Sequence, residues 1–355
     1  MRAVVCRAFG PPEALVVEDM SAPAPGPGEV LVDVAAIGVN FTDLLAIEGR
    51  SQLKRQMPFV PGVELAGTVA SVGEAVEGLR PGQRVLGACI HGAYAKQAAL
   101  PPDALYPIPD EMDFPTASAF FIASMTSRYA LVERARLTAG ETLLVLGAGS
   151  GAGVAAVGIG KAIGARVVGA ASSEEKLALA RARGADETVL YPRQALDLEA
   201  QKRFCAVLRA AAGPRDAAPL SIGTLSTLSD KGGYDVIYDA VGGTYAEPAL
   251  RALAWEGRYL SVGFAAGVPA PSLGPLLFKN AQILGIQPAS DEHRLPGRSP
   301  ETMRQMLDWW RQGWLRPEVT EIHPLADAGK ALRRLKDRQA KGRIVLVTSN
   351  GWRSR

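Results

Sequence analysis

The residues whose types and spacing indicate chemistry most directly form a glycine-rich run near the middle of the chain. Residues 147–153, GAGSGAG, follow a short apolar segment of strand length (141–146) and precede a small, apolar segment of helix length (154–164). A helix N-terminus offers unpaired backbone N–H groups and the positive end of a dipole, and small residues allow the backbone to approach a ligand closely. The run therefore predicts a turn that binds a pyrophosphate.

This motif can be read in two registers. Residues Gly147 to Ala152 fit the pattern GxGxxA, whereas the register that ends at Gly153 places Ala148 and Ser150 at the first two glycine positions. Glycine-rich loops are common in proteins, so the motif is informative chiefly because it follows a strand and precedes a helix.

The same region raises the alternative of a membrane span. The nineteen residues from Thr142 to Gly160 carry no charge, and about 20 apolar residues span a bilayer. However, the segment changes character within itself, and Arg166–Ala171 is strand-like again. Two strands joined by a glycine turn and a helix form a βαβ unit, whose parallel strands are buried on both faces. We therefore expect a soluble nucleotide-binding unit rather than a membrane helix.

The end of the second strand of this unit indicates which dinucleotide binds. An NAD site usually places an acid there to accept from the ribose 2′-hydroxyl, but this strand ends in Ser172 and Ser173, and Lys176 follows within one helical turn. Hydroxyls and an ammonium suit a 2′-phosphate, which needs donors and positive charge. The sequence predicts NADPH, and either serine can also cap the following helix.

Composition narrows the class of protein further. The chain has 355 residues and a net charge of only +3, which gives no reason to expect nucleic acid or an anionic membrane as a partner. The basic run 331–341 is typical of a solvated helix face. The three cysteines, Cys6, Cys89 and Cys205, are scattered and odd in number, which predicts a reducing compartment such as the cytoplasm. The N-terminus shows no signal-peptide pattern.

Strand and helix patterns predict two domains. Short strand-like runs separated by Gly and Pro turns in residues 1–122 predict an all-β, partly open barrel. Residues 123–265 alternate strand and helix patterns, which is typical of a parallel α/β domain, and residues 266–355 are expected to return to the first domain. The polar stretch 213–233 is expected to be a surface insertion. Elements predicted near the C-terminus are helices over 300–312 and 327–338 and a strand over 343–348.

Six stretches together resemble the medium-chain dehydrogenase/reductase superfamily, and more closely its zinc-free quinone oxidoreductase branch, related to zeta-crystallin. They are GVNFTD, PFVPGVELAGTVASVGEAVEGLRPGQRV, LTAGETLLVLGAGSGAG, ASSEEKLALARARGAD, YDVIYDAVGG and KGRIVL, and they run from residue 38 to residue 346. The resemblance implies an α/β protein with a Rossmann nucleotide-binding domain plus a GroES-like, partly open β-barrel catalytic domain. It also implies a homodimer formed through edge strands of the nucleotide domain.

The resemblance bears on metal content. Zinc-containing relatives carry a cysteine in GVCGTD and a histidine in PGHE, and those positions hold Asn40 and Val63 in this chain. Because cysteine and histidine are the usual zinc ligands, we expect no metal site. A site without a Lewis acid does not readily polarise an alcohol for oxidation. Reduction of a quinone or an electron-poor C=C bond remains feasible, since hydride attack is then electronically assisted.

The resemblance implies roles for individual residues. Asn40 would be the polar group beside the nicotinamide and the substrate carbonyl, with a simple turn amide as the alternative, and Thr126 would lie near the carboxamide. Asp43 and Glu64 match family positions and could be structural. The implied cofactor-binding residues are Ser150, Gly151, Ala152 and Gly153 for the pyrophosphate, Ser172, Ser173, Lys176 and Tyr191 for the 2′-phosphate and adenine, Val241, Gly242 and Gly243 after the fourth strand, and Gly263 and Phe264 near the nicotinamide ribose.

One position departs from the relatives. Many of them carry a tyrosine in a Gly-x-Tyr after the GVNFTD segment, a candidate proton donor, whereas this chain has Gly49-Arg50-Ser51. Ser51 becomes the candidate there, with water, Tyr94 or the cofactor ribose as alternatives. We expect a zinc-independent, NADPH-dependent reductase of a quinone or an α,β-unsaturated carbonyl. The alternatives are an acryloyl- or enoyl-thioester reductase, or a weakly catalytic NADPH-binding protein that regulates or binds RNA.

Overall fold

The computed structural model describes residues 1–51, 53, 55–213, 232–287 and 299–348. These residues divide into two compact units. Unit 1 comprises Met1–Ile122 and the described residues from Pro317 onward, and unit 2 comprises the described residues of Ala123–Arg316. Of the insertion expected at 213–233, residues 214–231 lie outside the described part. Within that part, no helix is long and apolar enough to cross a membrane.

Fifteen strands are defined in the described residues. In unit 1 the first seven are β1 (Arg2–Val5), β2 (Val16–Asp19), β3 (Val30–Gly38), β4 (Glu64–Val72), β5 (Arg84–Ala88), β6 (Gln97–Leu100) and β7 (Leu105–Pro107). Unit 2 contains β8 (Thr142–Leu146), β9 (Arg166–Ala171), β10 (Glu187–Leu190), β11 (Tyr234–Asp239), β12 (Leu253–Ser261) and β13 (Gln282–Gly285). The chain returns to unit 1 with β14 (Val319–Pro324) and β15 (Arg343–Val347).

The α-helices of the described residues lie between these strands. They are α1 (Phe41–Ile47), α2 (Phe114–Ser118), α3 (Phe121–Arg128), α4 (Gly151–Ile163), α5 (Glu174–Ala182), α6 (Leu198–Ala212), α7 (Ala246–Arg251), α8 (Gly274–Lys279), α9 (Ser299–Arg311) and α10 (Ala328–Lys336). A π-helical turn, Tyr129–Arg134, follows α3. The helices predicted over 300–312 and 327–338 and the strand predicted over 343–348 correspond to α9, α10 and β15.

Unit 1 is built on a seven-stranded sheet in which β14, β15, β3, β4, β5 and β7 follow one another and β6 pairs with β3. Its pairs are antiparallel except β14 with β15. Buried and more exposed side chains alternate along the first part of β3. Val30, Val32 and Val34 point inward while Asp33 is exposed, so one face of the strand packs into the domain. These valines belong to one apolar core with residues of α1 and α10. The mostly antiparallel sheet confirms the expected β domain.

Unit 2 is a parallel sheet of six strands in the order β10-β9-β8-β11-β12-β13. All of its strand pairs are parallel. The central strand β8, TLLVL, is buried along its whole length, as expected for a sheet covered on both faces. The strands that follow β8 in the chain, β9 and β10, lie on one side of it, and β11, β12 and β13 lie on the other, so the strand order reverses between β8 and β11. In such sheets ligands bind outside the carboxyl ends of the strands at this reversal, so the residues after β8 and β11 mark the expected site, and the Rossmann fold class is confirmed.

The structure corrects the expected position at which the chain leaves this sheet. The sequence suggested a return to the first domain at residue 266, but the contacts place the change of unit between Arg316 and Pro317. The reason is β13, which pairs in parallel with β12 and extends the nucleotide-binding sheet. Residues 266–287 therefore belong to unit 2.

Candidate functional site

The glycine-rich turn of unit 2 links β8 to α4. Gly147 has φ +83°, and the backbone N–H groups of Gly147 and Ala148 donate to Ala170 O at 2.9 and 3.0 Å. Ser150 is the N-cap of α4, and its hydroxyl accepts from the backbone N–H of Gly153 at 3.1 Å. The turn is thereby fixed to β9, and the first turn of α4 presents N–H groups that lack intrahelical acceptors.

The glycines of this turn are required by close packing. A Cβ added at Gly153 would lie 2.7 Å from the carbonyl carbon of Gly147 and 2.8 Å from Cα of Ala148. A Cβ at Gly149 would lie 2.8 Å from Cγ and 2.9 Å from Cα of Lys176. The glycines therefore let the turn pack closely on itself and on Lys176, and the helix N-terminus formed in this way fits a pyrophosphate approaching Ser150 through Gly153.

The end of β9 carries the residues expected to select the cofactor. Ser172 and Ser173 follow Ala171, and Ser173 caps α5 because its hydroxyl accepts from the backbone N–H of Lys176 at 3.4 Å. Lys176 is half-buried and lies against the turn at Gly149. The capping role of Ser173 is confirmed, and the lysine is placed beside the predicted phosphate-binding turn.

A buried carboxylate shapes the turn after β11. Asp239 is 1% exposed, and its Oδ1 accepts from the backbone N–H groups of Val241 and Gly242 at 2.7 and 2.9 Å. Its Oδ2 accepts from the Tyr259 hydroxyl. Burial raises the pKa of Asp239, against the lowering effect of these bonds. Sequence reasoning did not single out this acid as the residue that holds the turn.

The predicted residues Val241, Gly263 and Phe264 lie together with this turn. Val241 lies against the glycine-rich turn, since its Cγ2 would be 3.1 Å from a Cβ at Gly147. Gly263 follows β12, and its backbone N–H donates to Asp239 O at 3.2 Å. Phe264 is 46% exposed. The structure thus brings the ends of β8, β11 and β12 to one edge.

Helix α3 is tied to the same edge by a serine that the sequence analysis missed. The hydroxyl of Ser127 donates to Ala152 O at 2.9 Å and lies 3.0 Å from the Tyr238 hydroxyl. The neighbouring residue Thr126 is half-buried. No sequence signal identifies Ser127, because its partners lie 25 and 111 residues away.

Tyr191 has a different setting from the one implied by an adenine pocket. The residue is 7% exposed, and its ring packs 4.9 Å from the Tyr245 ring and 6.0 Å from the Phe204 ring, measured between centroids. The three rings belong to the core of unit 2. Tyr191 therefore supports the fold, and its contact with adenine stays a prediction.

Asn40 of unit 1 is the centre of a buried polar network. Its Nδ2 donates to Glu64 Oε1 at 2.9 Å and to Gly38 O at 3.3 Å. Its Oδ1 accepts from Arg343 Nη1 at 3.0 Å, and Arg343 Nη2 donates to Glu64. Both N–H groups of the amide are thus engaged. Asn40 is 5% exposed and has no further donor for a substrate oxygen, so in this structure it orders the network.

Asp43 extends this network into the core. Its Oδ2 accepts from the backbone N–H of Asn40 at 2.8 Å and from the Tyr94 hydroxyl at 3.1 Å, while its Oδ1 is buried without a hydrogen-bond partner. Burial raises the pKa of Asp43 to about 7, although both hydrogen bonds lower it. Burial and the nearby Asp43 charge raise the pKa of Tyr94 far above its ordinary value. Tyr94 is fully buried, which removes it as a direct proton donor.

Ser51 lies in the turn that follows α1. Its backbone N–H donates to Leu45 O at 3.1 Å, and its hydroxyl accepts from the backbone N–H of Leu53 at 3.3 Å. The hydroxyl proton is still available for donation. No hydrogen bond is found between Ser51 and the Asn40 network in the parts of unit 1 that are described.

The donor set of the zinc-containing relatives is missing at the equivalent positions. Val63 has no donor atom, Asn40 is committed to Glu64 and Arg343, and the Cys89 thiol donates to Gly62 O at 3.4 Å. Burial raises the pKa of Cys89 to about 12, so the thiolate form that binds metals is disfavoured. Among the residues that the structure describes, no group of three or more His, Cys, Asp or Glu side chains could hold a metal ion. These residues do not fit zinc.

Comparisons with known proteins agree with this organisation. Residues 26–110 match the family described as alcohol dehydrogenase GroES-like domain, and residues 151–311 match the family described as zinc-binding dehydrogenase. The chain is 33% identical to the quinone oxidoreductase-like protein 2 homolog of Nematostella vectensis, with 98% of the chain and 89% of that protein covered. It is 31% identical to the mouse (Mus musculus) quinone oxidoreductase-like protein 2, with 97% and 91% covered.

A solved structure shows the same fold. A mycobacterial protein complexed with NADPH superposes with a TM-score of 0.85 at 28% sequence identity, and the alignment covers 98% of this chain and 100% of that one. From these matches, the chain is an oxidoreductase that belongs to the medium-chain dehydrogenase/reductase superfamily, in its quinone oxidoreductase branch.

Proposed function

We propose that the chain is a zinc-independent, NADPH-dependent reductase that transfers a hydride to a quinone or to the β-carbon of an α,β-unsaturated carbonyl. The observation that carries this proposal is the packing of Lys176 against the glycine-rich turn, next to a strand end that bears Ser172 and Ser173 instead of an acid. When bound, NADPH supplies the hydride, and the protein supplies binding and orientation.

The choice of NADPH follows from charge. A 2′-phosphate at the end of β9 would meet the hydroxyls of Ser172 and Ser173 and the ammonium of Lys176, and these groups are donors to an anion. An acid at this position would repel the phosphate. The mycobacterial neighbour that was solved with NADPH supports the same choice.

The choice of acceptor follows from unit 1. Because Val63 and Asn40 leave no ligand set for a Lewis acid, the reaction must be one in which the acceptor itself is electron-poor. The role of Asn40, Glu64 and Arg343 is to hold the backbone around Gly38 and α1 in place through buried hydrogen bonds. The Ser51 hydroxyl or water delivers the proton that completes the reduction. The printed names of the relatives, quinone oxidoreductase-like proteins, favour the same acceptor class.

Oxidation of NADPH, followed at 340 nm with a panel of quinones, enones and enoyl thioesters, tests this proposal. We expect turnover with quinones or enones and a clear preference for NADPH over NADH. Lys176→Ala should weaken NADPH binding about 10- to 100-fold, as expected for one charge-assisted hydrogen bond, and should leave NADH binding almost unchanged. Lys202→Ala is the matched control, since Lys202 is exposed and pairs with Glu199 on α6.

The outcomes separate the competing functions. Turnover restricted to thioesters would assign an acryloyl- or enoyl-thioester reductase. Tight NADPH binding without turnover on any acceptor would favour a regulatory or RNA-binding protein. The absence of measurable affinity for NADPH and NADH would refute the proposal.

We also propose that the chain forms a homodimer in a reducing, cytoplasmic environment. Supporting this, β13 is the last strand of the unit 2 sheet among the described residues, and apolar side chains of α8 are exposed beside it, with Leu277 at 80% and Phe278 at 72%. An unpaired strand edge with exposed apolar residues invites pairing with another chain. Sedimentation equilibrium of the wild type and of Phe278→Glu should give a dimer and a monomer, respectively.

A further inference from the structure

Arg55 is a half-buried arginine of unit 1 whose charge has no carboxylate within ion-pair distance in the part of the chain that is described. Its neighbour Arg50, in contrast, pairs with Glu48 at 3.2 Å. Asp43 acts on Arg55 electrostatically, and burial raises the pKa of Asp43 to about 7. At neutral pH that carboxyl is partly protonated, so it neutralises the guanidinium only in part.

The guanidinium of Arg55 is held in a fixed position. Its Nη1 donates to Leu53 O at 3.2 Å and its Nη2 donates to Ile90 O at 3.0 Å. Its central carbon also lies 5.7 Å from the centroid of the Phe59 ring. Phe59 is itself rigid, since it is 6% exposed and exchanges two backbone hydrogen bonds with Cys6. Arg55 therefore does not need to be ordered when a ligand arrives, which lowers the entropic cost of binding.

Arg55 also has unused hydrogen-bond donors. A guanidinium carries five N–H groups. Among the described residues, Nη1 and Nη2 each donate one hydrogen to a carbonyl oxygen, and their second hydrogens have no acceptor there. The Nε group is shielded from solvent and has no hydrogen-bond partner. Such a desolvated donor is costly unless it is paired. The planar fork of an arginine side chain matches the two oxygens of a carboxylate or phosphate.

The position of Arg55 relative to the Asn40 network follows from backbone pairing. Ile90, which accepts from Arg55, comes directly after Cys89. The backbone N–H of Cys89 donates to Val63 O at 2.9 Å. Val63 precedes Glu64, the residue that bonds Asn40. Through Ile90, Arg55 is thus hydrogen-bonded to the segment that pairs with Val63. Val63 is the position at which zinc-containing relatives carry a metal ligand.

Among the described residues, the surroundings of Arg55 combine one cation with apolar surface. Leu53 and Ile90 flank it and are 56% and 60% exposed. The His91 ring lies 6.4 Å from the Phe59 ring and brings no negative charge to the patch. Burial and the Arg55 charge lower the pKa of His91, which favours its neutral form. The patch formed by Leu53, Arg55, Phe59, Ile90 and His91 is apolar with a single persistent positive charge.

We propose that this patch selects an acceptor that carries an anionic group, a carboxylate or a phosphate, and that Arg55 binds this group through its unused N–H donors. The acceptor is then an acidic quinone or enone, whose apolar body contacts Leu53 and Ile90. Because Asn40 has no donor left, Arg55 also replaces the amide as the polar group that fixes the orientation of the acceptor. This inference rests on the proposed reductase function and narrows its substrate class.

The test compares three acceptors with one quinone ring: a benzoquinone with a propionate side chain, its methyl ester, and an analogue with a phosphate monoester. Binding to the NADP⁺-saturated chain is measured by calorimetry, and kcat and KM are measured with NADPH. In the wild type, at least one anionic acceptor should bind about 10- to 100-fold more tightly than the ester. Arg55→Met keeps the apolar stem and should abolish this preference while changing ester binding by less than about threefold.

Two further variants separate recognition from structure. Arg55→Lys keeps the charge but loses the fork, so the preference should fall only in part. Arg50→Gln, which removes an exposed arginine five positions earlier, should leave the preference unchanged. A wild type with no preference for either anion would overturn the inference, and so would an Arg55→Met variant that loses acid and ester binding by the same factor. If no acceptor turns over, the calorimetric comparison still decides the inference, whereas the reductase proposal alone is refuted.

Discussion

Replacing Asp43 by Asn is expected to change how the stability of unit 1 depends on pH. The pKa of Asp43 is raised from the ordinary value of 3.8 to about 7, chiefly by burial. Between these values the folded chain keeps a proton that the unfolded chain has released. Because the unfolded state then binds fewer protons, the free energy of unfolding falls as the pH rises. The contribution of Asp43 to stability is complete below about pH 4 and is lost by about pH 7.

The magnitude follows from the same values. A rise in pKa from 3.8 to about 7 corresponds to a loss on the order of 4 kcal/mol across this pH range, at 1.36 kcal/mol for each pH unit. Asparagine has the shape of the protonated carboxyl and does not titrate. The carbonyl oxygen of the new side chain can still accept from the backbone N–H of Asn40 and from Tyr94, the partners that Oδ2 has now.

Urea-dependent hydrogen exchange measures the expected effect in unit 1. The peptide that contains β3, Val30–Gly38, reports the opening of the sheet next to the network, and rates are corrected for the intrinsic effect of pH. The stability of the wild type minus that of Asp43→Asn should fall by up to about 3 kcal/mol between pH 4.5 and 8, since the range from pH 4.5 to about 7 covers roughly 2.5 pH units at 1.36 kcal/mol each. Asp33→Asn is the control, since Asp33 lies on β3 in an exposed position.

A difference in stability between wild type and Asp43→Asn that does not change with pH over this range would refute the reasoning. It would show that Asp43 titrates in the folded chain as it does in the unfolded chain. A difference that rises with pH would mean that the hydrogen bonds from Asn40 and Tyr94 outweigh the burial of the carboxyl.

Two other changes test the remaining parts of the site. Gly153→Ala should destabilise unit 2 by about 1–3 kcal/mol and abolish measurable NADPH binding, because the new Cβ meets the backbone of Gly147 and Ala148. Gly28→Ala, where nothing lies within 4 Å of the added Cβ, should show neither effect in thermal melts and fluorescence titrations. Dialysis against a chelator should leave NADPH oxidation unchanged; activity that disappears and returns with zinc would contradict the mismatch at Asn40 and Val63.

Features encoded by neighbouring residues could be predicted from the sequence. The turn at 147–153, the serine cap of α5 and the strand β9 each depend on a few consecutive residues, and all three lie where the sequence predicted them. The return of the chain to unit 1 was placed wrongly at 266 because β13 is only four residues long and mostly exposed. Because β13 is recognised only by its pairing with β12, its residues show no hydrophobic periodicity from which a strand could be predicted.

The arrangement of the Asn40 network could not be predicted. The motif GVNFTD predicts Asn40 as a candidate site residue, but the hydrogen bonds of its side chain depend on Arg343, which lies 303 positions further along the chain. Ser127 and Asp239 were missed for the same reason, since their partners are set by the packing of the sheet. Sequence spacing shows which polar residues are present, while the fold decides whether their donors remain available to a ligand.

The bond between Glu64 and Arg343 has a consequence for biosynthesis. These buried residues are separated by 279 positions, and the ribosome delivers the N-terminal part of a chain first. All of unit 2 is therefore translated before β15, and until then Glu64 is a carboxylate without its cation. A nascent chain must hold its first 122 residues in an unfinished state while the middle of the protein matures, and premature termination before residue 343 would leave a product that chaperones and proteases recognise as incomplete.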